Sequence, residues 1–160
     1  MADMMQVLML AAIQAAQQAR EHGNHPFGTV LASLDGQVLL TVENTVNTDH
    51  DTTAHAETSL VRIASQQYDP AFLAECTLYA STEPCPMCAG AIYWANIGRV
   101  VFGLSQEQLY VIIGGGAKER LLLPCREVFS HGGKAIEVIG PMMENEARAV
   151  HLGFWDNPAI

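Results

Sequence analysis

Basic residues are scarce in this chain: 8 Lys and Arg stand against 17 Asp and Glu among 160 residues, for a net charge of -9, and no Lys/Arg run occurs anywhere. Non-specific affinity for nucleic acid comes from clustered cations on phosphates, so a nucleic-acid partner is disfavoured. Long apolar runs are missing too. Residues 1–19 are rich in Met, Leu and Ala, but Gln6, Gln14, Gln17 and Gln18 interrupt them, well short of the roughly 20 apolar residues that a membrane span needs. The same stretch opens with Asp3 instead of a basic segment and has no distinct cleavage region, so it does not read as a signal peptide. A cytoplasmic protein without membrane association is expected. Linkers, internal repeats and low-complexity tracts are also lacking. One domain over residues 1–160 is the expectation, long enough to bury a core without disulfide staples.

What the chain has in plenty is apolar surface: hydrophobic residues make up 49% and charged residues 16%. That is more than a disordered chain carries, and some of the surplus suits a partner subunit. Residues 3–21 place Met5, Leu8, Met9, Ala12, Ala15, Ala16 and Ala19 at three- and four-residue intervals, which predicts a helix that Gly23 stops. Two strand-like runs, residues 27–33 and 37–43, flank Asp35-Gly36, a dipeptide suited to a tight hairpin. Thr52 and Thr53 are candidate caps for a helix over residues 54–68, with Leu60, Val61, Ile63 and Ala64 as its buried stripe. Asp69-Pro70 would end it. Strands are expected at 76–81, 99–103 and 135–139, and helices at 85–96 and 141–151. Residues 105–130 read as an irregular crossover with helical hints at 106–110 and 124–129. Alternation after an initial hairpin predicts a three-layer α/β/α sandwich around a mixed five-stranded sheet, with the fourth and fifth strands parallel across the crossover.

Two segments carry chemistry: Ala54-His55-Ala56-Glu57 at one predicted helix start and Pro84-Cys85-Pro86-Met87-Cys88 at another. The CxxC spacing suits metal binding in a reducing compartment better than a disulfide. Zinc prefers nitrogen and sulfur ligands in a tetrahedron, and a catalytic site takes three from the protein and leaves one corner for water. His55, Cys85 and Cys88 supply that count for one Zn2+ per chain. Helix starts carry partial positive charge, which favours thiolate at both cysteines. Glu57 is placed to act as general acid and base on the water. A structural site with Cys125 as fourth ligand is the alternative reading. The remaining histidines, His22, His25, His50, His131 and His151, read as surface residues and receive no role.

In this order the residues resemble the signature of the cytidine deaminase superfamily, His-x-Glu followed by Pro-Cys-x-x-Cys. The resemblance runs over residues 26–102. It implies a cytidine deaminase-like fold and hydrolytic release of ammonia from a ring amino group. Within the superfamily, Pro26-Phe27-Gly28 and the run Glu83-Pro84-Cys85-Pro86-Met87-Cys88-Ala89-Gly90-Ala91-Ile92-Tyr93-Trp94-Ala95 are similar to bacterial guanine and nucleoside deaminases, and next to tRNA adenosine deaminases. The first likeness implies a base pocket lined by Phe27 and Trp94, a base-edge contact from Asn44, whose amide can both give and take hydrogen bonds, and a backbone donor at Ala56. Guanine or a related purine, as free base or nucleoside, is therefore the first expected substrate. A tRNA adenosine deaminase is the next reading, and a zinc-stabilised binding protein without catalysis is a third, from another class. The ending Gly153-Phe154-Trp155-Asp156 departs from guanine deaminases. Fungal-type cytosine deaminases, which also resemble the chain, close their pocket with an aromatic and acidic C-terminal segment. That likeness implies cytosine or an aminotriazine as a further alternative, with Phe154, Trp155 and Asp156 in a site-covering tail over residues 154–160.

Overall fold

The computed structural model describes residues 2–114 and 120–156. The predicted opening helix is α1 (Ala2–Glu21), followed by the hairpin of β1 (Gly28–Ala32) and β2 (Val38–Glu43). A four-residue helix without a sequence signal, α2 (Val46–Asp49), precedes α3 (Ala56–Gln67). Asp69-Pro70 does end α3, but the same pair starts another turn, α4 (Pro70–Leu73), because the Asp69 carboxylate accepts from the Phe72 amide. The order then runs β3 (Thr77–Thr82), α5 (Pro86–Trp94), β4 (Arg99–Leu104), α6 (Gln106–Ile113), α7 (Cys125–Ser130), β5 (Glu137–Ile139) and α8 (Glu144–Ala149). Among the described residues no helix is long and apolar enough to cross a membrane.

The sheet order is β2-β1-β3-β4-β5, with β1 antiparallel to both β2 and β3, and β3, β4 and β5 mutually parallel. The two central parallel strands are buried on both faces, and their side chains alternate between two core clusters. Leu78, Ala80, Val100 and Phe102 point to the side of α3, α5 and α7, and Tyr79 and Val101 to the side of α1, α6 and α8. A period of two with apolar residues on both sides is what a covered parallel sheet requires. The result is the three-layer arrangement expected from the sequence.

Two local devices bring this scaffold to the site. Alanines along the buried stripe let α1 lie close on β1, so close that a Cβ at Gly28 would run into the backbone of Ala12, Ala15 and Ala16. Across the sheet, the buried Glu83 carboxylate accepts from the first amides of two helices, Gln106 of α6 and Cys125 of α7, at 3.0 Å each. Gln106 then donates to the carbonyls of Pro84 and Leu123 at 2.7 and 3.1 Å. The crossover is thereby tied to the loop that carries Cys85.

Three sequence readings are corrected. Thr52 and Thr53 do not cap α3: the N-cap is His55 itself, and Thr53 instead takes up the Asp51 carboxylate. The crossover is more regular than expected, with α6 extending to Ile113 under a Ser105 cap. The last helix is shorter than residues 141–151, because α8 gives way to successive turns through residue 156.

Candidate active site

Both metal-ligand segments sit at helix N-caps. His55 caps α3 and Cys85 caps α5, each with extended backbone (φ -66° for both) and neither with a side-chain capping bond. Pro86 occupies the first helical turn of α5, where its fixed φ suits the helix and its missing N–H costs nothing. One turn on, Cys88 is fully buried. His55 Nδ1 lies 3.6 Å from Cys85 Sγ and 3.5 Å from Cys88 Sγ. Zn–N near 2.0–2.1 Å and Zn–S near 2.3 Å at tetrahedral angles give an N···S edge of about 3.6 Å, so the donor set fits zinc in both chemistry and spacing. Among the described residues these three form the metal-binding cluster.

Cys125, the alternative fourth ligand, is elsewhere. It is fully buried beside Phe129 in the core, and burial followed by the Glu83 charge pushes its thiol up to about 12. A protonated thiol in an apolar wall is no competitor for the metal.

Glu57 is 5% exposed, and its Oε2 lies 3.4 Å from Cys88 Sγ. Burial first, and the negative charge of Cys85 second, push its carboxyl up to about 7. A carboxyl poised there can both take and return a proton near neutral pH. The two sulfurs differ. Cys85 is held down to about 4, chiefly by a hydrogen bond from Cys88, and Cys88 is pushed up by that same contact, by burial and by Glu57. In effect the pair keeps one proton, and a divalent cation displaces it. His55 is raised above its ordinary value, with the hydrogen bond to Cys85 the largest cause.

The other expected site residues divide. Asn44 is buried, its backbone amide donating to the Phe27 carbonyl at 3.0 Å, so the two residues are joined. Its side-chain oxygen accepts from the Val46 amide at 3.0 Å, and its amide nitrogen can donate. Thr45 donates to the Ala54 carbonyl, and Thr29 Oγ1 contacts the Ala56 carbonyl at 3.4 Å, linking this wall to the start of α3. The N–H of Ala56, first in α3, has no acceptor within the helix. Trp94 does not join them. It is 82% exposed at the end of α5. Six residues beyond Cys88 it lies about 240° round the helix and about 9 Å further along, facing away from the metal ligands.

The C-terminal turn folds back onto Phe27. Trp155 lies 5.5 Å from the His25 ring and 6.2 Å from Phe27, and Phe154 meets Trp155 edge-on at 4.8 Å. Asp156 is exposed, and residues 157–160 of the expected tail lie outside the described residues. Two histidines read as surface residues belong here. His151 is fully buried between Phe27 and Trp155. His25 is half-buried, and its pKa is lowered by burial and then by His55, which puts it within electrostatic reach of the metal cluster. Arg20, at the end of α1, donates to the carbonyls of Val150 and Leu152 at 2.8 and 2.7 Å and lies 5.6 Å over Phe154. The sequence held a faint signal for it, a lone cation ending an apolar stripe, and none for its partners.

Residues 3–104 match the family model of the cytidine and deoxycytidylate deaminase zinc-binding region. The chain is 42% identical over 146 residues to a probable cytosine deaminase of Schizosaccharomyces pombe, spanning 91% of this chain and 88% of that one. It is 38% identical over 107 residues to the guanine deaminase of Bacillus subtilis, spanning 61% of this chain and 68% of that one. A solved structure of a tRNA:A34 deaminase superposes with a TM-score of 0.71 at 30% identity, covering 91% of this chain and 99% of that one. A helix-start zinc site built of His55, Cys85 and Cys88 on a mixed five-stranded sheet, and a family match over most of the chain, lead to one conclusion: this protein belongs to the cytidine and deoxycytidylate deaminase family of zinc-binding deaminases.

Proposed function

We propose that the protein hydrolyses the exocyclic amino group of a free single-ring base, cytosine first, with Glu57 as the proton carrier. The observation that carries the chemistry is a buried carboxyl 3.4 Å from a metal-ligating sulfur. Zinc, when bound, supplies a Lewis acid that makes water a nucleophile near neutral pH. Glu57 takes the proton that the attacking water loses and delivers it to the ring nitrogen; it then takes the proton of the hydroxyl added to the ring carbon and passes it to the departing amine. Ammonia leaves and the ring carbon becomes a carbonyl. Phe27 stacks on the base, while the Asn44 amide and the Ala56 N–H donate to its oxygen.

Substrate size rests on the C-terminal turn. Phe154 and Trp155 cover the Phe27 side of the site, which suits a small base better than a polynucleotide. The match over 91% of the chain to a probable cytosine deaminase supports the pyrimidine over the guanine expected from the metal-helix run. Guanine is the second reading, supported by the shorter match to a guanine deaminase over 61% of the chain. Exposed Trp94, Leu121 and Leu122 are the surface on which a second copy would sit in a homodimer.

Ammonia release from cytosine, guanine, adenine, their nucleosides and an aminotriazine, by protein carrying one zinc per chain, tests the reading. Cytosine should turn over at least about 100-fold faster than its nucleoside, since a ribose would need room that the cover fills. Guanine leading the panel would reverse the order of the two readings. Deamination of tRNA with salt-dependent binding would overturn both.

A further inference from the structure

His151 is fully buried and plays no part in the mechanism above, yet it touches both halves of the site. Its Nδ1 lies 3.1 Å from the Trp155 indole Nε1, and its Nε2 lies 3.3 Å from Thr82 Oγ1. Thr82 ends β3, three residues before the metal ligand Cys85. The indole N–H can only donate, so Nδ1 must present a lone pair. The ring proton therefore resides on Nε2, which donates to the threonine hydroxyl. One tautomer of the neutral imidazole satisfies both partners, whereas the imidazolium keeps the threonine bond and loses the indole bond, because its Nδ1–H can no longer accept.

We infer that His151 is a positioning residue: as a neutral Nε2–H imidazole it latches the Trp155 indole over Phe27 and thereby sets how tightly the base is held. The inference rests on the proposed role of the C-terminal cover. Three more contacts support it. The Trp155 and His151 rings are nearly parallel, at 16°, and Phe27 meets His151 edge-on at 5.4 Å. Arg20 from α1 holds the carbonyls on either side of His151, so the imidazole is presented by a fixed turn. The charged groups around it favour the neutral form: Arg20 from α1 and Arg148 from α8 both disfavour a second proton. His25, from the segment before β1, faces the other side of Trp155.

The test uses zinc-loaded full-length protein with His151→Gln and His151→Leu. Gln keeps an acceptor for the indole and a donor for Thr82, whereas Leu keeps neither. His151→Leu should raise KM for the base about tenfold, the size of one lost hydrogen bond, with kcat changed much less and one zinc retained per chain. His151→Gln should restore KM to within about threefold of the native value. A native KM in His151→Leu, or a Gln variant as impaired as Leu, overturns the latch. The second measurement needs no base. With Trp94→Phe, Trp155 is the sole tryptophan. Acidification should then quench and red-shift its emission while far-ultraviolet ellipticity holds, and adding His151→Gln should remove that transition. Persistence of the transition in the Gln variant would assign it to His25 and overturn the latch, as would emission that changes only with global unfolding. If none of the bases reacts, the substrate reading fails while the emission experiment still decides on His151.

Discussion

At the starts of α3 and α5 the reactive groups are placed by helix caps on the sheet scaffold, whereas at the C-terminal cover they are placed by a run of turns and by side-chain contacts. His55 and Cys85 are the caps of their helices and Glu57 and Cys88 follow within one turn, so four groups are fixed by two helix entries on adjoining parts of a rigid sheet. Phe154 and Trp155 lie in a run of turns after α8 and are held by Arg20, His151 and ring contacts. The first arrangement is hard to move without unfolding the core. The second can shift by a few side-chain bonds, and that division suits chemistry in one place and substrate selection in the other.

The largest test separates the halves outright. Glu57→Gln should lower kcat by about 10,000-fold while zinc content and Trp155 emission stay native, measured by ammonia release and metal analysis. A rate within tenfold of native would break the assignment of the chemistry to the helix starts. Next comes acid stability. Burial holds His151 down to about 4 from an ordinary 6.5, so between those values the unfolded chain binds a proton that the native chain does not, and stability falls as pH drops through that window. Native protein should lose on the order of 3 kcal/mol relative to His151→Gln between pH 7 and pH 4, read from urea unfolding. An equal loss in both proteins would remove this weakness from the cover. Truncation after Leu152 should cut kcat/KM about 100-fold and leave one zinc per chain; loss of zinc would show that the halves are not separate. The smallest effect sharpens the rigid side. Glu83→Gln turns one acceptor toward Cys125 or Gln106 into a donor, strands a buried amide, and should cost about 2 kcal/mol, a fall of about 4–8 °C in Tm.

The same contrast governs what the sequence revealed. His55, Glu57, Cys85 and Cys88 were legible because their spacing is local: two residues in one helix start and three in the other. The hairpin at Asp35-Gly36 and the parallel pairing of β4 and β5 were legible for the same reason, a turn dipeptide and a helical crossover. The cover was only half legible. Phe154 and Trp155 stood out as aromatics in a terminal stretch, but Arg20 is 130 and 132 residues from the carbonyls it holds, and His151 is 69 residues from Thr82. No local pattern encodes such pairs. Trp94 misled for the converse reason. It stands close to the ligands in the chain, and helix geometry carries it to the opposite face. Glu83 preceded the cysteine pair in plain view, yet its role as the joint acceptor of two helix starts depends on where α6 and α7 begin.

Because the N-cap residues of α3 and α5 both belong to the metal-ligand set, a single ion would tie two helix starts together. A chelator strong enough to strip it would fray both helix entries together, and these open onto the apolar cluster of Leu60, Ala89 and Ile92. Metal supply and resistance to proteolysis should then move together in this chain, with limited digestion in the presence and absence of chelator as the check.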